Sequence, residues 1–205
     1  MRPGKVICIG WNYKPHVAET DAVLPTEPIV FLKPSSCLCG DGDEVRIPEG
    51  VTNVQYEAEL ALVFGRTGKD IPEGEAMSHV SHLAVFNDIT ARDMQTADRK
   101  AGNPWCLAKG MDGFGPMSEP VPLGDTDPAS LDLFLEVNGE LRQRGNTSNM
   151  IFSLPELISY VSRFMTIEAG DVMATGTPEG IGEIRRGDTV TARIPGVGSV
   201  TNRIV

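Results

Sequence analysis

The chain is 205 residues long, 40% hydrophobic and 22% charged, with a formal net charge of −10. Such a chain has room for one sizeable core, and its surplus of acid argues against nucleic acid or an anionic membrane as a partner. An acidic substrate would need positive charge placed locally. Cys8, Cys37, Cys39 and Cys106 show neither the paired spacing of a zinc site nor the density of a disulfide scaffold, and read as reduced thiols. The first five residues lead into only a short apolar run, and no stretch approaches the length of a membrane span. The expectation is one domain, residues 1–205, in the cytoplasm.

Residues 6–9 read as a buried strand ending at Gly10, and residues 11–19 as a loop entering a short helical turn. Three residues apart on that turn, His16 and Glu19 share a face. The carboxylate can then accept the proton on one imidazole nitrogen and leave the other as a base, or the pair is an exposed histidine with an incidental neighbour. Residues 21–28, polar and proline-bearing, form either a mobile cover or a plain surface loop. Residues 29–32 predict a second buried strand stopped by Lys33-Pro34, and residues 40–50 are turn-rich.

The stretch Gln55-Tyr56-Glu57-Ala58-Glu59-Leu60 reads as a strand that continues to Gly65. Alternate side chains leave one face, so Glu57 and Glu59 point together with Cα atoms about 6–7 Å apart. Two acids on one face are stable where the face is wet, with Tyr56, Ala58 and Leu60 inward, or where a cation sits between them. A third acid, Asp88, closes the apolar run 83–86 and could complete a set of three carboxylates. Such a set, without Cys or His, suits a hard cation such as Mg²⁺ or Mn²⁺.

Residues 72–80 predict a helix with His79 and His82 near its end, neither at ligand spacing. Residues 89–95 begin a helix with Arg92 and Gln95 on one face, able to hold an anionic oxygen or simply to pair locally. Residues 105–110 read as an apolar strand whose Lys109 either snorkels to water or supplies charge to a site. Residues 131–137 alternate and meet Asn138-Gly139, the signature of a hairpin that returns through residues 140–142. Ser153 and Glu156 form a capping box ahead of a helix with Leu154, Leu157, Ile158, Val161 and Met165 on one face. Residues 172–174 lead into a turn, residues 175–180, whose hydroxyls and backbone N–H groups either cradle a carboxylate or merely serve a tight turn. Gly180-Ile181-Gly182 is no dinucleotide fingerprint, because Arg185 fills the third glycine position. Residues 189–194 and 199–205 are two closing strands.

Together, Gly10-Trp11-Asn12-Tyr13 with His16 and Glu19, then Phe31-Leu32-Lys33-Pro34, Tyr56-Glu57-Ala58-Glu59-Leu60, Asn87-Asp88-Ile89-Thr90-Ala91-Arg92-Asp93, Ala108-Lys109 and Thr175-Gly176-Thr177-Pro178, resemble the fumarylacetoacetate hydrolase family. The resemblance runs through essentially the whole chain in order and is nearest to the single-domain branch of acylpyruvases and oxaloacetate decarboxylases. It implies an α+β, mainly β fold, a mixed β-sandwich roll of the fumarylacetoacetate hydrolase C-terminal type with a few short helices, usually homodimeric. It also implies Mg²⁺ or Mn²⁺ at Glu57, Glu59 and Asp88. Lys109, Arg92, Gln95, Gly176 and Thr177 would contact a 2-oxo acid, and His16 with Glu19 would activate water. Trp11 stands where relatives often carry Arg or Leu, so the substrate's tail is open.

The chemistry that follows is hydrolysis of an acylpyruvate or fumarylpyruvate, or decarboxylation of oxaloacetate, through one enolate stabilised by metal and Lys109. An alternative within the family is isomerisation or decarboxylation of ring-cleavage products such as 2-hydroxyhepta-2,4-diene-1,7-dioate and 5-carboxymethyl-2-oxo-hex-3-ene-1,7-dioate. An alternative of another class is a noncatalytic β domain that binds a small acid, its carboxylates merely solvated.

Overall fold

A computed structural model describes residues 3–19 and 23–205. Its first half contains β1 (Val6–Gly10), α1 (Lys14–Glu19), β2 (Ile29–Lys33), β3 (Leu38–Cys39), β4 (Glu44–Val45), β5 (Val54–Tyr56), β6 (Ala58–Phe64), α2 (Glu73–Ala76), β7 (Val80–Asn87), β8 (Thr90–Ala91) and α3 (Arg92–Ala101). The second half adds α4 (Cys106–Lys109), β9 (Gly115–Pro116), β10 (Val121–Pro122), β11 (Asp132–Val137), β12 (Glu140–Asn146), α5 (Leu154–Phe164), β13 (Val172–Ala174), β14 (Gly182–Glu183), β15 (Thr189–Ile194) and β16 (Gly198–Ile204). The fold is mainly β with a few short helices, as expected.

A mixed sheet ordered β10-β7-β6-β13-β1-β2 lies against a sheet ordered β12-β11-β15-β16-β4. Their facing side chains form the main core: Ile7, Ile9, Leu60, Leu62, Leu83 and Val85 from the first meet Leu133, Leu135, Val190, Ala192 and Val200 from the second. The other face of the first sheet is also apolar. Val6, Cys8, Ala61, Ala84, Phe86, Val172 and Ala174 make a second cluster there, and the register sets Cys8, Ala174, Ala61 and Ala84 side by side across four strands. A strand buried on both faces has no polar position, which is why residues 6–9 form an unbroken apolar run.

The Asn138-Gly139 hairpin forms with φ of 54° and 79°, the left-handed pair that a two-residue turn of this kind requires. Ser153 and Glu156 close their capping box at the start of α5, whose Leu157, Ile158 and Val161 enter the main core.

Three expectations need correction. Residues 29–32 are not a buried strand: β2 is the edge of its sheet, Leu32 is 43% exposed, and the residue it buries is Lys33. Residues 105–110 are not a strand: Lys109 N–H donates to the Trp105 carbonyl at 3.1 Å and Gly110 N–H to that of Cys106 at 2.9 Å, closing the short helix α4. Four apolar residues in a row carry no period that separates strand from helix. The helix predicted over 72–80 stops at Ala76, continues as a single 3-10 turn, and leaves His82 on β7. Of the two settings left open for Glu57 and Glu59, the buried one is found: they are 5% and 2% exposed. The proposed cover at 21–28 lies partly outside the described residues; residues 23–28 carry no helix or strand.

Candidate active site

The acidic stretch is a place where the chain changes sheets. β5 pairs with β14 and β8 in a small separate sheet, β6 belongs to the large one, and Glu57 is the break between them. A break leaves backbone groups without ladder partners, and buried ones must be satisfied some other way. Side chains from distant segments do so. Glu57 N–H donates to Asn87 Oδ1 at 3.0 Å, Ala58 N–H to Gln143 Oε1 at 2.9 Å, and Thr177 Oγ1 to the Ala58 carbonyl at 2.9 Å. Gln143 Nε2 donates in turn to Thr177 Oγ1 at 2.9 Å. These bonds hold the two glutamates at the end of the second apolar cluster.

The antiparallel register of β6 and β7 pairs Ala58 with Asn87, and Asp88 N–H donates to the Glu57 carbonyl at 2.8 Å. Asp88 therefore lands beside Glu57 and Glu59, and carboxylate oxygens of the three lie within 4.8 Å of one another. All three are buried.

Three cations compensate them. Lys109, 2% exposed, places Nζ 2.8 Å from Glu57 Oε2 and 2.6 Å from Asp88 Oδ2. Lys33 Nζ stands 2.5 Å from Asp88 Oδ1 and also donates to the Phe114 carbonyl at 2.7 Å. Arg92 Nη2 donates to Glu57 Oε1, while its Nε reaches Gln55 Oε1 at 2.7 Å and its Nη1 reaches Gln95 Oε1 at 2.6 Å.

The charges are unevenly shared. Burial pushes the Glu57 carboxyl up, but the Lys109 ammonium and Arg92 guanidinium outweigh it and hold Glu57 well below the usual carboxylate range. Among the described residues, Glu59 has no cation in contact. Its Oε2 accepts the Gly176 N–H at 2.8 Å, and burial together with the charges on Asp88 and Glu57 pushes its carboxyl well above the usual range. Burial lowers Lys109 and the two carboxylates raise it further, so it stays an ammonium. Three buried acids with one undercompensated member, all oxygen donors, fit a hard divalent cation.

His16 borders the same cavity, with Nδ1 3.2 Å from Glu19 Oε2. Glu19 Oε1 accepts the Gly180 N–H at 3.0 Å, which ties α1 to the turn after β13. The cavity, of about 250 Å³, is lined by His16, Glu57, Glu59, Asp88, Arg92, Gln95, Lys109 and Thr177. Nine of the ten residues singled out from sequence thus border it or pair into it. Gly176 alone is not among the lining residues; its amide donates to Glu59. With φ of 101° and a would-be Cβ 2.9 Å from Asn12 Cβ, the position requires glycine. Sequence reasoning missed Lys33, Arg99 and the aromatic residues Phe31 and Trp105; the period-two pairing of Phe31 with Lys33 on β2 was the available signal.

Comparison with known proteins follows the same lines. Residues 5–205 match the family described as fumarylacetoacetate (FAA) hydrolase C-terminal. The oxaloacetate tautomerase FAHD1, mitochondrial, of Arabidopsis thaliana is 44% identical over 197 residues, 96% of this chain and 88% of that protein. Among solved structures, the fumarylpyruvate hydrolase of Pseudomonas aeruginosa in complex with Mn²⁺ and pyruvate superposes with a TM-score of 0.94 at 36% identity, covering 98% of this chain and 89% of that one. The 2-hydroxyhepta-2,4-diene-1,7-dioate isomerase of Mycobacterium marinum gives 0.90 at 38% identity, covering 100% and 75%. The fold is that of an enzyme family, and its three buried carboxylates are a group that could hold a divalent ion. The chain belongs to the fumarylacetoacetate hydrolase family. No helix among the described residues is long and apolar enough to cross a membrane.

Proposed function

We propose that this protein is a divalent-metal-dependent enzyme that breaks a C–C bond in 2-oxo acids, hydrolysing an acylpyruvate or fumarylpyruvate and decarboxylating oxaloacetate. The observation that carries this reading is the convergence of three buried carboxylates, a buried ammonium and a His–Glu pair on one cavity. A Mg²⁺ or Mn²⁺ ion held by Glu57, Glu59 and Asp88 supplies fixed positive charge for the carboxylate and 2-oxo group of the substrate.

The chain's own residues do the rest. His16, its Nδ1–H held by Glu19, takes a proton from water at Nε2. The hydroxide adds to the distal carbonyl, the C–C bond breaks, and its electron pair passes to the pyruvate fragment as an enolate. Lys109, held as an ammonium, stabilises that charge without giving up its proton. The imidazolium returns its proton to the enolate carbon, so a carboxylic acid and pyruvate leave. Arg92 with Gln95 and Thr177 orient the substrate's oxygens. Oxaloacetate reaches the same enolate by loss of CO₂, with no water attack. A second reading, keto–enol tautomerisation, is supported by the name of the relative that is 44% identical, and uses the same base and the same ammonium.

Acetylpyruvate, fumarylpyruvate and oxaloacetate, each assayed with Mg²⁺, with Mn²⁺ and with chelator, test the reaction. Turnover of at least one that chelator abolishes is expected, and turnover indifferent to chelator overturns the proposal. His16→Ala should lose acylpyruvate hydrolysis by roughly 10²–10⁴-fold. The metal-dependent rise in its melting midpoint should persist, because His16 is not a ligand. Unchanged hydrolysis removes His16 from the mechanism.

A further inference from the structure

Each of the three buried acids has one oxygen already taken by a donor that is itself held in place. Glu57 Oε1 accepts from Arg92 Nη2, a guanidinium fixed in turn by Gln55 and Gln95. Glu59 Oε2 accepts the Gly176 N–H at 2.8 Å, a donor that belongs to the backbone. Asp88 Oδ1 is held by Lys33 Nζ at 2.5 Å. The oxygens left over are Glu57 Oε2 and Asp88 Oδ2, which Lys109 spans, and Glu59 Oε1, which accepts no hydrogen bond among the described residues. The two lysines on Asp88 differ in kind. Lys109 lines the cavity and spends two N–H groups on carboxylates. Lys33 is not a lining residue, and its side chain is 0% exposed. Its three N–H groups meet Asp88 Oδ1, the Phe114 carbonyl at 2.7 Å and the Ile89 carbonyl at 3.2 Å. A buried ammonium with every donor satisfied stays where it is.

We propose that Lys33 is a positioning residue that sets the site's choice of cation. By keeping Asp88 Oδ1, as Arg92 keeps an oxygen of Glu57 and the Gly176 amide one of Glu59, it limits each acid to a single free oxygen and discriminates against Ca²⁺. The inference rests on the reading of the three acids as a divalent-ion site. Ca²⁺ takes about six to eight oxygens at roughly 2.3–2.6 Å and commonly grips a carboxylate by both, whereas Mg²⁺ holds about six at roughly 2.0–2.1 Å and keeps several waters. Three single oxygens on fixed supports suit the smaller ion and leave Ca²⁺ short of ligands. Lys33 acts here through Asp88, without touching ion or substrate. Charge alone does not discriminate, because removing an ammonium makes the site more negative toward either dication alike. Only a second oxygen set free favours the larger ion over the smaller.

The test titrates Mg²⁺ and Ca²⁺ calorimetrically, at one pH, into the metal-free full chain of the wild type and of Lys33→Met. The wild type should bind Mg²⁺ roughly tenfold or more tightly than Ca²⁺, and Lys33→Met should shift that ratio roughly tenfold or more toward Ca²⁺. Loss of a lysine that merely supported the fold would weaken both ions together and leave the ratio alone. Arg92→Met is the second variant, because Lys33 is wholly buried whereas the Arg92 side chain is 20% exposed. Freeing Glu57 Oε1 in this way should move the ratio in the same direction. A single cooperative melting transition certifies each variant as folded, and where Lys33→Met does not fold the Arg92→Met ratio decides. A wild type that takes Ca²⁺ as tightly as Mg²⁺, or folded variants that keep the wild-type ratio, overturn the inference, while Mg²⁺ binding and chelator-sensitive turnover leave the proposed function standing. If no divalent ion binds the wild type, the proposed function falls and the selectivity falls with it.

Discussion

Replacing Lys109 by methionine is expected to tighten metal binding while nearly abolishing turnover. The ammonium is 2.8 Å from Glu57 and 2.6 Å from Asp88, buried, and kept charged by them. It competes with any divalent ion for the same oxygens. Its removal leaves Lys33 and Arg92 against three carboxylates, a more negative site that attracts a dication more strongly. Methionine fills much the same volume without a charge, so the metal-free variant holds carboxylates that have lost a partner. A loss of about 3–5 kcal/mol is expected for breaking such a buried pair, seen as an earlier urea midpoint with chelator present. Saturating Mg²⁺ should restore much of it, because a ligand that binds only the folded state stabilises that state. Turnover at saturating metal should fall by about 10²–10³-fold, the usual cost of removing a group that meets developing negative charge. Titration of Mn²⁺ followed by steady-state kinetics separates the two effects. Weaker metal binding would show instead that Lys109 organises the triad; turnover within a factor of a few of wild type would remove it from the chemistry.

This division between metal and chemistry was only partly legible in the sequence. Period-two spacing placed Glu57 and Glu59 on one face, and Asp88 at the end of the next apolar run, because alternation is a local property of a strand. Whether that face is wet or buried is not local. It is decided by Asn87, Gln143 and Thr177, which satisfy the broken strand from up to 119 residues away. The capping box at Ser153 and the Asn138-Gly139 turn were legible because each encodes its own geometry within four residues. α4 was misread for the opposite reason: a four-residue helix has no period to display, and its i→i+4 bonds became visible only in the structure. With that helix misassigned, spacing alone leaves Lys109 either snorkelling to water or supplying charge to a site, and only the family resemblance points to the second. Lys33 was hidden likewise, since an edge strand usually turns its lysines to water. The aromatic wall joins Trp11, Phe31 and Trp105 from three separated segments, a proximity no spacing rule encodes.

Glu59 should make metal affinity depend on pH in a definite direction. Burial and the charges on Asp88 and Glu57 raise its folded-state pKa well above that of an ordinary glutamate. The metal-free protein therefore carries a proton on Glu59 over a window that starts at the ordinary value and ends at the raised one. Binding a divalent ion displaces that proton, so within the window affinity falls by roughly tenfold for each pH unit downward, and it levels off above it. Stability without metal runs the other way. A carboxyl whose folded pKa is raised contributes stability that is fully present below its unfolded value and lost as the pH rises through the folded one. Glu57, held low by Lys109 and Arg92, works in the opposite sense: the stability it contributes is present above the ordinary glutamate value and is lost as the pH falls through the lowered one. With chelator present, the melting midpoint should thus decline as the pH is raised from the ordinary glutamate value. Added Mg²⁺ should reverse the trend. Glu59→Gln isolates the cause: the amide oxygen can still accept the Gly176 N–H, and the side chain cannot ionise. Its metal-free midpoint should lose this decline with pH and lie above that of wild type at alkaline pH, while its response to Mg²⁺ disappears. A wild-type affinity for Mg²⁺ that is flat from acid to alkaline pH, or a Glu59→Gln variant that still gains stability from Mg²⁺, would show that the ion does not take the place of the Glu59 proton.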